Sequence, residues 1–201
     1  MPGLRRQYRR QRVRLRRETY IAICGEKRNS CPCPNNDQRW RLLFSRLTCL
    51  ELAKCLADAR VKVICNDIKI ANELGCFPHV ESYIIGGLIR PGYFSVGESL
   101  ALEMINAFSV ERAFISCDAL SLETGITNAT MFEVGVKTRI IQRSREVILM
   151  ADHSKFDAVE PHAVATLSCI KTIISDSGLP ETIAQRYQRA GCQLFLPHSI
   201  K

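Results

Sequence analysis

Residues 111–156 read ERAFISCDALSLETGITNATMFEVGVKTRIIQRSREVILMADHSKF. The stretch opens on a short apolar run, Ala113–Cys117, and nears its end on another, Val147–Ala151. Between them, Met131–Arg145 carries Met131, Val134, Ile140 and Ile141 at helical three- and four-residue spacing. Short continuous apolar runs suit strands buried on both faces. A strand, a helix and a strand in that order predict a parallel pair joined by a crossover helix.

The same alternation extends in both directions. Val61–Cys65, Ser82–Ile85, Thr172–Ser175 and Gln193–Leu196 read as further strands. Leu50–Ala59, Ile68–Gly75 and Val96–Phe108 read as further helices. A last helix has Pro180 at its first turn and Gly191 past its end, the usual asymmetry of start and stop. The expected fold class is α/β, a Rossmann-like, mostly parallel sheet with helices on both faces. In such sheets ligands sit outside the carboxyl ends of the strands.

The strand ends are polar. Asn66-Asp67 follows the first run, and Gly86-Gly87 then Arg90-Pro91-Gly92 the second. Asp118-Ala119 and a Gly125–Asn128 turn follow the third, Asp152–Phe156 the fourth and Asp176-Ser177-Gly178 the fifth. Each cluster alone is ordinary turn chemistry. Five at one sheet edge suggest a binding rim. Gly86 and Gly87 allow backbone N–H groups close approach. Arg90 and Lys155 supply positive charge, and Asp118 and Asn66 suit sugar hydroxyls. Glu133 and Lys137 share a helix face, either as a surface ion pair or as a pair pointing into the cleft.

Charge is segregated. Residues 1–48 hold 13 Lys/Arg against Glu18, Glu26 and Asp37, a balance of +10, whereas the whole chain carries +8. The remainder has no reason to seek nucleic acid by charge alone. The head, Arg-rich to Arg17, is either a solvated tail or a polyanion clamp. The ten cysteines mostly sit in apolar runs without a secretory signal, which suggests free thiols in a reducing cytoplasm. No apolar run approaches the ~20 residues of a membrane span. Cys24, Cys31 and Cys33 could form half a metal site, but no second ligand pair follows. The histidines are scattered, and neither a Walker motif nor GxGxxG occurs, so no cofactor or metal is expected. Asn128-Ala129-Thr130 matches a glycosylation acceptor, which has no meaning in a cytoplasmic chain.

The stretches Leu50–Leu74, Tyr83–Ile105, Glu111–Phe156 and Ile170–Pro180, with Gln188–Gly191, resemble in order and spacing the C-terminal sensor domain of DeoR-family transcriptional repressors. The resemblance covers residues 48–196. It implies a domain like ribose-5-phosphate isomerase that binds a phosphorylated sugar or related metabolite and so releases operator DNA. It also implies self-association. Ligand roles are implied for Thr48, Asn66, Gly86, Gly87, Arg90, Asp118, Glu133, Lys137, Asp152, Ser154 and Lys155.

There are departures. The family's first loop reads Asp-x-Gly-Thr-Thr, where this chain has Phe44-Ser45-Arg46-Leu47-Thr48, so only Thr48 survives. Ala119 stands where the family usually has Gly. Residues 1–47 show no winged helix-turn-helix, and residues 48–201 are expected to form the sensor domain. Residues 1–46 are expected to come from a shifted reading frame or a rearranged gene, with loss of a central strand. Two alternatives accompany the sensor reading. One is a sugar-phosphate isomerase with Glu133 as base and Lys137 or Lys155 stabilising an enediolate. The other is a nucleic-acid binder acting through the Arg-rich head.

Overall fold

A computed structural model describes residues 40–44 and 49–196. The chain enters at β1 (Trp40–Phe44) and runs through α1 (Leu50–Lys54), β2 (Val61–Cys65), α2 (Ile68–Leu74) and β3 (Val80–Ile84). A hairpin of β4 (Leu88–Ile89) and β5 (Val96–Gly97) leads into α3 (Glu98–Asn106) and β6 (Val110–Ser116). Then come β7 (Ala119–Ser121), β8 (Gly125–Asn128), α4 (Val134–Arg143) and β9 (Ser144–Met150). The chain ends with β10 (His162–Ala165), β11 (Thr172–Ile174), α5 (Glu181–Arg189) and β12 (Gln193–Phe195).

Seven strands form one sheet in the order β12-β11-β9-β6-β1-β2-β3, and every pairing in it is parallel. From β1 the chain winds outward to β3, returns to β6 on the other side of β1 and winds outward again. This reversal makes the carboxyl ends of β1 and β6 the topological switch point, where α/β sheets bind ligands. Both faces are covered, as the apolar strand runs require. Ala113 and Ile115 of β6 pack toward Ala101 and Ile105 of α3, Val136 and Ile140 of α4 and Tyr187 of α5. Phe114, between them, faces the opposite core with Leu52 of α1 and Ile70 and Leu74 of α2. Alternation along a strand sends successive side chains to opposite faces, so one seven-residue strand serves two cores.

Three expectations are corrected. The sheet begins at Trp40, ahead of the expected boundary at 48, and β1 supplies the central strand whose loss was expected. Its WRLLF run is short and follows a charged, proline-containing stretch, so no period marks it. Gly125–Asn128 is strand β8 and no turn; it pairs antiparallel with β7 and β10 in a second, three-stranded sheet. The turn is Leu122-Glu123-Thr124; Gly125, which opens β8, has φ +74, and a Cβ there would lie 2.3 Å from the Ala165 carbonyl oxygen. The third correction concerns α3, which starts at Glu98 and not at Val96, because Val96-Gly97 pairs with Leu88-Ile89.

The described cysteines are free thiols. Burial pushes the Cys65 thiol up to about 12, so it acts as a packing group and not as a nucleophile. Among the described residues no helix is long and apolar enough to cross a membrane.

Candidate functional site

The site begins with the residues just past β2. Asn66 is buried, and its side-chain amide donates to the Val96 carbonyl at 3.1 Å while its backbone carbonyl accepts from Val96 N–H at 2.8 Å. Asp67 caps α2, accepting from the amides of Lys69 at 2.9 Å and Ile70 at 3.3 Å. Burial raises the Asp67 pKa in spite of these donors, and the nearby Glu133 carboxylate adds to the rise.

The hairpin after β3 is built on glycine. Gly87 has φ +141, and a Cβ there would lie 2.4 Å from the Gly97 carbonyl oxygen. Only a residue without a side chain lets the two arms of the hairpin approach this closely. Gly86 donates its N–H to Met104 Sδ at 3.1 Å. From the hairpin, Arg90 stacks on Tyr93 with 3.7 Å between guanidinium and ring centroid.

Arg90 and the hairpin's Ser95 converge on Glu133. The Glu133 Oε1 atom accepts from Ser95 Oγ at 3.0 Å and Arg90 Nη1 at 3.4 Å, and Oε2 lies 3.4 Å from Lys137 Nζ. The Lys137 ammonium donates to Asn128 Oδ1 at 3.0 Å. Glu133 is 2% exposed and Lys137 0%. Of the two positions left open for this pair, the structure selects the interior. Leaving either charge alone there would cost several kcal/mol, which the surrounding donors and acceptors offset.

Asn128 ends β8, and the amide of the next residue, Ala129, donates to Asp118 Oδ2 at 3.0 Å. Asp118 stands two residues past β6, at the switch point. One chain of hydrogen bonds and sequence neighbours therefore runs from Asn66 through Arg90, Glu133 and Lys137 to Asp118. Asp152, Ser154 and Lys155 follow β9, the parallel neighbour of β6, in which Met150 pairs with Ser116. Asp152 caps this turn, accepting from Ser154 N–H at 3.0 Å and from the Ser154 hydroxyl. No hydrogen bond joins this turn to the Arg90–Glu133–Lys137 group among the described residues; it is tied to Asp176 beyond β11. Thr48, residues 45–47, the Arg-rich head and Cys24, Cys31 and Cys33 lie outside the described residues.

Several buried polar atoms at this edge have no hydrogen-bond partner among the described residues. They are Asn66 Oδ1, Ser116 Oγ and Ser175 Oγ at the carboxyl ends of β2, β6 and β11, and Asn128 Nδ2 at the end of β8. Such atoms are rare in folded proteins and tend to mark places where a ligand or water completes the bonding. Ser95, Asn128 and Asp67 join the site without having been assigned a ligand role from the sequence. Asp67 stood there only in a polar strand end, Asn128 only as a turn and glycosylation-motif residue, and Ser95 gave no signal.

A family model described as the DeoR C terminal sensor domain matches residues 45–177. The chain belongs to this family. As a DeoR sensor domain it is similar to proteins named as transcriptional regulators. It is 98% identical over 159 residues to an Escherichia coli (strain K12) protein whose name makes it a candidate sgc region transcriptional regulator, over 79% of this chain and 61% of that protein. It is 38% identical over 151 residues to an HTH-type transcriptional regulator of Haemophilus influenzae, over 74% of this chain and 58% of that protein. It is 29% identical over 155 residues to the HTH-type transcriptional repressor GlcR of Bacillus subtilis (strain 168), over 77% of this chain and 60% of that protein. The DeoR sensor chain thus spans about three-fifths of the length of these curated relatives. Among solved structures it is similar to ribose 5 phosphate isomerase A from Neisseria gonorrhoeae, at 12% identity and TM-score 0.38, over 60% of this chain and 47% of that one.

Proposed function

We propose that this domain is the effector-sensing part of a carbohydrate-responsive transcriptional regulator. Its ligand is a small phosphorylated sugar or related metabolite, bound at the carboxyl edge of the parallel sheet. The observation that carries the reading is the gathering of buried charge and unpartnered polar atoms at that edge. Arg90 and Lys137 bring positive charge beside Glu133, and Asn66, Ser116 and Ser175 bring open hydrogen-bonding capacity. An anion with several hydroxyls suits that combination. Asp118 and Asp152 accept from hydroxyls, and Lys155 and Arg90 face the phosphate. Self-association and a cytoplasmic setting belong to the same reading, as does operator recognition by a whole regulator.

The domain senses and does not convert, a reading supported by relatives named as regulators. The test is a thermal-shift panel of ribose 5-phosphate, glucose 6-phosphate and fructose 6-phosphate on the full chain. A ligand that binds only the native state stabilises it by about 2.7 kcal/mol at a hundredfold excess over Kd. For a domain of this size that is a rise of about 5–10 °C in melting temperature. The same mixtures are expected to show no aldose–ketose conversion. Turnover would instead support the isomerase, and a flat panel would remove the sensor reading for these ligands.

A further inference from the structure

We propose that Asp176 is a positioning residue for ligand binding: it fixes the turn that carries Asp152, Ser154 and Lys155 without touching the ligand. The inference rests on the reading that the carboxyl edge binds an anionic sugar, and it adds a residue that this reading does not include.

Strands β9 and β11 are parallel neighbours with Met150 opposite Ile174. Asp152 and Asp176 therefore leave the sheet at the same level, each two residues beyond a paired position. The Asp176 carboxylate holds the turn on both its backbone and its side chain. Its Oδ2 accepts from the His153 amide at 3.1 Å, and its Oδ1 lies 2.9 Å from His153 Nδ1. Oδ1 also accepts from Gly178 N–H at 2.7 Å, so the carboxylate is itself held in place. Gly178 leaves room for this arrangement: a Cβ would lie 2.6 Å from His153 Nδ1 and 2.9 Å from Asp176 Oδ1 and would push those side chains apart. One carboxylate oxygen each of Asp152 and Asp176 and one ring nitrogen of His153 lie within 4.8 Å of one another. From His153 the order passes along the chain. Lys155 N–H donates to the Asp152 carbonyl at 3.0 Å, and Phe156 anchors the far end against the Tyr187 ring at 4.9 Å. An aspartate at 176 thus fixes where the Lys155 side chain starts. A displacement of about 1 Å in a binding group lowers affinity steeply.

The test uses the full chain, the three sugar phosphates named above and calorimetric titration. Asp176→Ala is expected to weaken whichever of them the wild type binds by about tenfold, with Asp176→Asn intermediate because it keeps one acceptor oxygen. In a Lys155→Ala background the same change is expected to cost less than about twofold, since residues acting through one another are not additive. Equal affinity for wild type and Asp176→Ala, or a full tenfold loss in the Lys155→Ala background, overturns the proposal. A merely structural role would lower stability and leave the two losses additive. Amide hydrogen exchange supplies a readout free of ligand. The backbone amides at positions 153 and 155 are expected to exchange faster in Asp176→Asn and in His153→Ala, and unchanged protection in Asp176→Asn overturns the positioning claim. If Asp176→Ala does not fold, Asp176→Asn carries both measurements. A wild type that binds none of the three removes the functional reading, and the ligand clause here with it, while exchange still decides whether Asp176 orders the turn.

Discussion

Lys137 has no exposed surface, yet its charge is met on two sides, by Glu133 and by Asn128. Removing one partner of a buried pair costs more than the pair itself contributes, because the remaining charge stays desolvated. Lys137→Met is therefore expected to destabilise the domain by about 3–5 kcal/mol in urea unfolding. Adding Glu133→Gln to that variant should recover part of the loss. Asp176 offers a pH test. Burial raises its pKa, but the donors Gly178 N–H and the His153 ring and amide outweigh burial, and the folded value lies below the usual carboxylate range. A depressed carboxylate binds fewer protons in the folded state, so its stabilisation is present above the unfolded pKa and lost as pH falls through the folded one. The stability gap between wild type and Asp176→Asn should shrink when unfolding is measured from about pH 6 down to about pH 3.

At the scale of elements, the hairpin β4–β5 is the piece most dependent on a single residue. Gly87 combines a left-handed φ with a close carbonyl neighbour, so Gly87→Ala meets both strain and collision. A loss of about 2–3 kcal/mol is expected by thermal unfolding, together with weakened binding of any ligand that reaches Arg90. The small sheet depends on a different tie. Tyr187 of α5 donates its hydroxyl to the Leu120 carbonyl at 3.1 Å and packs against Phe156. Burial raises the Tyr187 pKa, so the phenol stays protonated and able to donate. Tyr187→Phe removes the shorter of two hydrogen bonds to that carbonyl, leaving the Ala158 amide at 3.4 Å, and should cost about 1 kcal/mol, read by urea unfolding with probes on β7. Elements with a strong period, such as β6, α4 and β9, were legible in the sequence. The antiparallel β7–β8–β10 sheet was not, because its strands are only three or four residues long and β8, its middle strand, is made of Gly, Ile, Thr and Asn, three of which also make turns.

For the molecule as a whole, β1 decides integrity. It alone joins β2 to β6, so without it the sheet falls into two halves with facing unpaired edges. Deleting residues 1–44 is expected to abolish cooperative unfolding and to give aggregates in light scattering, because each half loses the strand that paired its edge.

The amino-acid sequence determined, unaided, that this is an α/β protein with a buried parallel sheet. Apolar runs alternating with helical periods leave few other ways to cover two faces. It also marked which strand ends were polar, and so where Asn66, Asp118 and Asp152 would stand. Only the tertiary structure decided that Glu133 and Lys137 lie inside, that Arg90 reaches Glu133 from another element, that Asp176 grips the neighbouring turn, and that a short run at Trp40 completes the sheet. These are contacts between residues far apart in the chain. Local spacing restricts which face a side chain takes, but which partner waits there is fixed by strand order and register, and those emerge only when the whole sheet assembles.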